Sequence, residues 1–187
     1  MLQSIKEDLF RYYGNEWNKW SIKMSYRHKP HTRYMWMFRH HQFSTNKLSK
    51  MFWKVCLYLA KFKTGVQIPV GTRIGRGFRM LHFGNVVVHP DAVIGDNFNI
   101  AQGRLIGDSF SKSGGGTPII GNNCCMFANS IVVGNVKIGN DVLIAPGAFV
   151  NFDVPDNSIV IGNPGKIIQR VSSPTKKYIV YSIERMQ

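Results

Sequence analysis

A histidine sits where a rhythm breaks. Aliphatic residues recur every six positions through much of the chain, but inside FRMLHFGNVVVHP (78–90) two residues are added between Met80 and Val88. A strict six-residue period points each side chain either into a core or along a wall. The two added residues must therefore bulge outward, lifting His82, Phe83 and Gly84 clear of the wall, with Gly84 and Asn85 suited to the tight return. Imidazole titrates near neutrality, so a histidine on an exposed bulge is suited to take a proton from an alcohol. The plainer reading is a turn histidine bonded to backbone. Its position at the break admits both readings.

A second break lies between Ile106 and Ile120, where GDSFSKSGGGTP places Gly114, Gly115 and Gly116 in succession. Such a run predicts a mobile, protruding loop that closes over a ligand. It is not a phosphate loop, because no Gly-Lys-Ser/Thr follows at the required spacing. Lys166, in GNPGKII (162–168), reads on its own as an exposed lysine after a turn. His89 precedes Pro90 and reads as a turn residue. His28, His31, His40 and His41 lack HExxH spacing or cysteine partners, so no metal site is expected. Cys124 and Cys125 have no base beside them in sequence and read as core or wall residues, not nucleophiles.

The rhythm itself specifies what positions these groups. Ile74 and Met80 are six apart, as are Val88, Ile94, Ile100 and Ile106; the count resumes at Ile120 and runs to Val150. Glycine or alanine commonly follows the aliphatic residue, as at Gly75, Gly95, Ala101, Gly121 and Ala145. Neither a two-residue nor a 3.6-residue period accounts for this pattern, which signals a repeat architecture. The expected fold is a parallel β-helix of about four coils, three short strands per coil, stacked ~4.8 Å apart. One aliphatic side chain per hexad fills the prism, and the small residue beside it is expected to let the chain turn the corner.

The segment from Gly65 to Ile168 resembles the left-handed hexapeptide-repeat acyltransferases, and within them the serine O-acetyltransferase group. The resemblance rests on IGRGFRMLHFGNVVV, SKSGGGTPIIG, NVKIGNDVLIAPGAFV, DVP and GNPGKII. It implies an all-β, left-handed parallel β-helix assembled as a homotrimer, with His82 as general base and acetyl-CoA as co-substrate. Coenzyme A would lie between adjacent subunits near Ala128, Pro146, Asn151 and Lys166, with no metal. Leu81, Gly84, Asn85 and Thr117 would face the acceptor, and backbone donors near the glycine loop would stabilise the oxyanion. Three positions depart from the serine-specific pattern. Leu81 and Gln67 stand where that group carries aspartates, and Thr117 stands where it carries a histidine. A site gripping a zwitterion needs charge, so a neutral sugar hydroxyl is the expected acceptor, in a polysaccharide-biosynthesis branch. L-Serine acetylation for cysteine biosynthesis is the alternative, and a non-catalytic β-helix scaffold is a further one.

Charge divides the 187 residues into modules. Residues 1–63 hold 13 Lys/Arg against three acids, whereas residues 64–171 hold eight against six, within a net charge of +14. The expected organisation is a basic α-helical module at 1–63, the β-helix at 64–170 and a tail at 171–187. A helix-compatible run follows Pro30, and another starts at the capping residue Asn46. In the second, Lys47, Lys50, Lys54 and Lys61 fall within a ~60° arc opposite Phe52, Val55, Cys56 and Leu59. This suits peripheral contact with anionic lipid at the inner membrane face. The alternative is a helix packed on the β-helix, its lysines solvated. Nucleic acid is permitted by the charge but no recognition motif supports it. No apolar run reaches the ~20 residues of a bilayer span. The opening residues do not form a signal peptide, and three cysteines form no disulfide framework, so a cytoplasmic compartment is expected.

Overall fold

The structure, a computed structural model, describes residues 2–109 and 115–186. Among the described residues four α-helices precede the β-helix, α1 (Gln3–Tyr13), α2 (Trp20–His28), α3 (Pro30–Phe43) and α4 (Lys47–Thr64), with a 3-10 helix at Gly14–Asn18 between the first two. Pro30 opens α3, where a missing N–H costs nothing. The Asn46 side chain accepts from Leu48 N at 2.8 Å, capping α4, and Gly65 closes that helix in the left-handed conformation at φ 69°.

From Val66 onward three parallel sheets form the sides of a prism. The first stacks Val88, Ile106, Val132 and Val150 in register. The second stacks Ile74, Ile94, Ile120 and Ile138. The third stacks Met80, Ile100, Met126, Ile144 and Val160. All these side chains are buried, so the six-residue grid is the core of a parallel β-helix. Ile68, also buried, extends the grid one hexad upstream of Ile74. A third break, missed in the sequence, follows Val150. Val154 bridges to Ile138 only four positions later, and the last coil is two residues short. Lys166–Gln169 then pairs antiparallel with Ser158–Ile161, ending the third sheet.

The small residue after each aliphatic does not turn the corner. Gly95 has no left-handed φ; a Cβ there would sit 2.7 Å from the Gly121 carbonyl carbon of the next coil. The residue is small because coils stack tightly at that point. The turn comes two positions later, where Gly77, Asn97, Asn123 and Asp141 each adopt φ between 55° and 66°. Asparagine and aspartate tolerate that region better than other side chains, which accounts for their recurrence along this edge.

The open end of the first coil would expose unpaired backbone groups on all three sides, and the helices satisfy them. Tyr34 Oη donates to Ile68 O at 3.0 Å and accepts from Ile68 N at 3.3 Å on the first sheet. Arg39 donates to Ile74 O at 3.0 Å and Gly75 O at 2.6 Å on the second. Tyr12 Oη bonds both Met80 N and Met80 O at 2.7 Å on the third. Asp8 holds Arg39 through two oxygens at 2.9 and 3.1 Å and accepts from Phe78 N at 2.9 Å. Burial works against both charges. It pushes the Asp8 carboxyl up, while for Arg39 the Asp8 carboxylate more than offsets burial and holds the guanidinium above its ordinary value. The tail straps the same region. Arg11 donates to Gly77 O, Asn97 O and Tyr181 O, Glu184 accepts from Asn97 Nδ2, and Tyr178 O accepts from Asn99 Nδ2.

Removing one member of this cap leaves its partner buried and unsatisfied. Arg39→Ala should lower stability by about 3–5 kcal/mol, because Asp8 then holds an unpaired buried charge. Tyr34→Phe, which strands the Ile68 carbonyl and amide, should cost about 1–3 kcal/mol. Urea unfolding followed by circular dichroism measures both; equal, negligible losses would remove the cap from the folding energetics.

Candidate active site

Successive corners of a β-helix line up as edges, and the candidate residues divide between two of them. Turns from the third sheet into the first form one edge, containing Leu81–Asn85, Ala101–Gly103, Ala128, Pro146 and Gly162. Gly147 N donates to Ala128 O at 2.9 Å and Phe149 N to Gly162 O at 3.0 Å, so these turns stack coil upon coil. His82 stands exposed at the first of them, and Lys166 at the last, beyond the Asn163–Pro164 turn. Turns from the first sheet into the second form the other edge, with His89, Asp108, Thr117 and Asn151. The width of the first sheet separates the two edges. One chain therefore gathers His82, Gly84, Asn85, Ala128, Pro146 and Lys166 on one edge, but not Thr117 or Asn151.

The bulge at His82 is built as its spacing requires. Gly84 takes φ 132°, and its N–H donates to Thr64 O at 3.2 Å; Val86 N donates to Gly65 O at 3.2 Å. These bonds tie the loop to the end of α4. His82 and Phe83 project into solvent, while Leu81 is half-buried and its N–H continues the ladder to Ile100 O. Gln67 is exposed in the first strand, paired in register with Val87. Among the described residues His82 has no carboxylate partner.

Two residues beside this edge escaped the sequence reading. His31, on α3, feels the charge of His82; burial first, then Lys29 and His82, hold its imidazole below the ordinary value. Its Nδ1 is buried with no partner among the described residues. Arg104 is fully buried, donates to Met126 O at 2.6 Å and to Gln102 O, and through its backbone N to Asn85 O at 3.0 Å. Burial pushes that guanidinium down to about 9. No spacing signal marked either one, because they reach the edge from a separate helix and from an inward-facing strand position.

The remaining candidates fall into place. His89 Nδ1 accepts from Asp91 N at 3.2 Å, a turn role. Cys124 and Cys125 are buried, and burial pushes each thiol up to about 12, so neither supplies a thiolate near neutral pH. Of the glycine loop, Phe110 to Gly114 lie outside the described residues; at its described end Gly116 N donates to Asp108 Oδ1 at 2.8 Å. Among the described residues no group of three His, Cys, Asp or Glu side chains is placed to hold a metal.

No family model matches the chain. It is 38% identical over 113 residues to a serine acetyltransferase of Synechococcus elongatus, covering 60% of this chain and 46% of that protein. A Staphylococcus aureus serine acetyltransferase is 36% identical over 112 residues, covering 60% of this chain and 53% of that protein. The chain thus spans about half the length of the curated relatives it matches. A Brucella abortus serine acetyltransferase crystal structure superposes with a TM-score of 0.72 at 24% identity, covering 91% of this chain and 69% of that one. The likeness establishes the parallel β-helix with an N-terminal helical region as the shared fold.

The proximity of His31 to His82 is directly measurable. In His82→Ala a neighbouring positive charge is gone, so the His31 pKa should rise. An NMR titration of the imidazole signals reads the shift; an unchanged His31 curve would separate the two residues.

Proposed function

We propose that the chain is an acetyl-CoA-dependent O-acetyltransferase with His82 as general base. The observation that carries this reading is the exposed histidine at the head of a stacked edge bearing Ala128, Pro146 and the Lys166 turn. In this proposal His82 accepts the acceptor's hydroxyl proton while that oxygen attacks the thioester carbonyl. The tetrahedral adduct collapses, the C–S bond breaks, and the thiolate of coenzyme A takes the proton back from the imidazolium. Four coil steps of ~4.8 Å separate the His82 turn from the Lys166 turn, a length suited to an extended phosphopantetheine arm. Lys166, exposed, would meet a phosphate at its far end.

The acceptor is where two observations pull apart. The relatives are serine acetyltransferases, which favours L-serine over the sugar hydroxyl expected from the sequence. The sugar reading keeps one specific support: Leu81, Gln67 and Thr117 offer no charge to pair with a zwitterion. The deprotonation at His82 is common to both. A homotrimer fits the division of candidate residues, because a neighbouring copy's Thr117 and Asn151 edge would complete the His82 edge that one chain leaves open. A reducing compartment suits Cys56, Cys124 and Cys125, all of which are free.

Release of the coenzyme A thiol, assayed with L-serine and with a panel of saccharides, tests the reading. His82→Ala should slow transfer at least ~100-fold with its circular dichroism unchanged, the lower range for a general base. Saturable turnover of L-serine alone would assign that acceptor; turnover of a saccharide alone would assign the sugar. No release above the buffer rate with any acceptor, or a fully active His82→Ala, would overturn the proposal.

A further inference from the structure

Helix α4 carries an apolar face that no described residue covers. Leu48, Met51, Phe52, Val55, Leu59 and Phe62 are each at least half exposed, from 50% at Val55 to 80% at Leu48. At 100° per residue they fill an arc of about 100°, a continuous stripe roughly 21 Å long. The helix is held by its other side, where Trp53, Cys56, Leu57 and Ala60 pack into the core shared with α3 and the first coil. The sequence had left open whether Phe52, Val55 and Leu59 pack inward on the β-helix. They do not. A contiguous exposed stripe, unlike scattered single residues, marks a surface built for contact.

Charge selects the occupant. Lys47, Lys50, Lys54 and Lys61 run along one border of the stripe, Lys63 lies on the other, and α4 contains no acid. A second copy docked face to face on this stripe would bring its own lysine row against the first. An anionic lipid surface complements both features at once, because lysine stems snorkel and carry the ammonium groups to phosphates while the stripe enters the acyl boundary. No described helix is long and apolar enough to cross a membrane, so the contact is parallel to the surface.

We propose that α4 lies along an anionic lipid surface, its Leu48–Phe62 stripe below the headgroups and its lysines among them. The helix ends at Thr64, whose carbonyl accepts from Gly84 N at 3.2 Å, so docking holds the His82 loop close to the headgroups. Phe83 on that loop is 60% exposed.

Co-sedimentation of the full chain tests this, using vesicles of phosphatidylcholine and phosphatidylglycerol in equal parts and vesicles of phosphatidylcholine alone. The protein should pellet with the anionic vesicles, less so as salt screens the lysines, and poorly with the neutral ones. Replacing Lys47, Lys50 and Lys54 with Gln should weaken partitioning roughly 10- to 100-fold. The pair Leu48→Gln and Phe62→Gln, both on exposed positions, should weaken it comparably with the circular dichroism unchanged. Light scattering on the same variants reads the oligomer. Wild-type protein that ignores anionic vesicles would overturn the proposal. So would glutamine-substituted apolar variants that bind as well as wild type, since that is charge adsorption without insertion. An oligomer that dissociates in those variants while vesicle binding persists would assign the face to a second copy instead.

Discussion

A β-helix has an open end, and the unpaired backbone of its first coil is the constraint around which the rest of this protein is arranged. Each of the three sides presents a strand edge with free N–H and C=O groups, which buried without partners would be costly and exposed would invite pairing with another chain. Here one side chain serves each side: Tyr34 at Ile68, Arg39 at Ile74 and Gly75, Tyr12 at Met80. The residues capped are those that begin the three aliphatic stacks. The helical module is therefore the structural floor of the β-helix, and its position fixes the direction in which α4 leaves for the first strand. Asp8 is essential to that arrangement because a buried guanidinium bonding only carbonyls would carry an uncompensated charge.

The repeat was legible because its physics is local and repetitive. One aliphatic per hexad, stacked in register, leaves the same mark a dozen times, and the two insertions appear as arithmetic. Where the structure departs from the reading, the cause is spatial. The glycines after the aliphatic positions looked like turn formers, but Gly95 and Gly121 are small because adjacent coils touch there, and the turning conformation belongs to Asn97 and Asn123. The shortened last coil was hidden because Val154 arrives early and only one further grid position, Val160, follows it to re-establish the count.

The site was legible in part, and the division is instructive. His82 could be singled out because an insertion in a strict repeat has to leave the wall. That Ala128, Pro146 and Lys166 share its edge, whereas Thr117 and Asn151 do not, depends on which corner each turn occupies, and that requires the pairing of strands. His31 and Arg104 were out of reach for a different reason. His31 belongs to a helix whose docking is set by the Tyr34 and Arg39 contacts, 34 and 35 residues distant in sequence from their acceptors. Arg104 occupies an inward-facing strand position where the hexad pattern predicts nothing polar, and only its carbonyl partners make it tolerable.

The imidazole of His31 bears on how the proposed chemistry at this edge would work. General bases are commonly oriented by a carboxylate, which favours the imidazolium formed during proton transfer. Here Leu81 and Gln67 supply none, and the helical-module group coupled to His82 is His31, which also feels Lys29. A neighbouring cation acts in the opposite direction, opposing the positive charge that develops on the base. Burial together with those cations keeps His31 neutral at higher proton concentrations than an isolated imidazole would. A neutral His31 adds no opposing charge beside His82 when, in the proposed reaction, the latter accepts its proton. With no carboxylate of its own to favour the imidazolium, the proposed edge at least avoids a second charge there, because burial keeps His31 neutral.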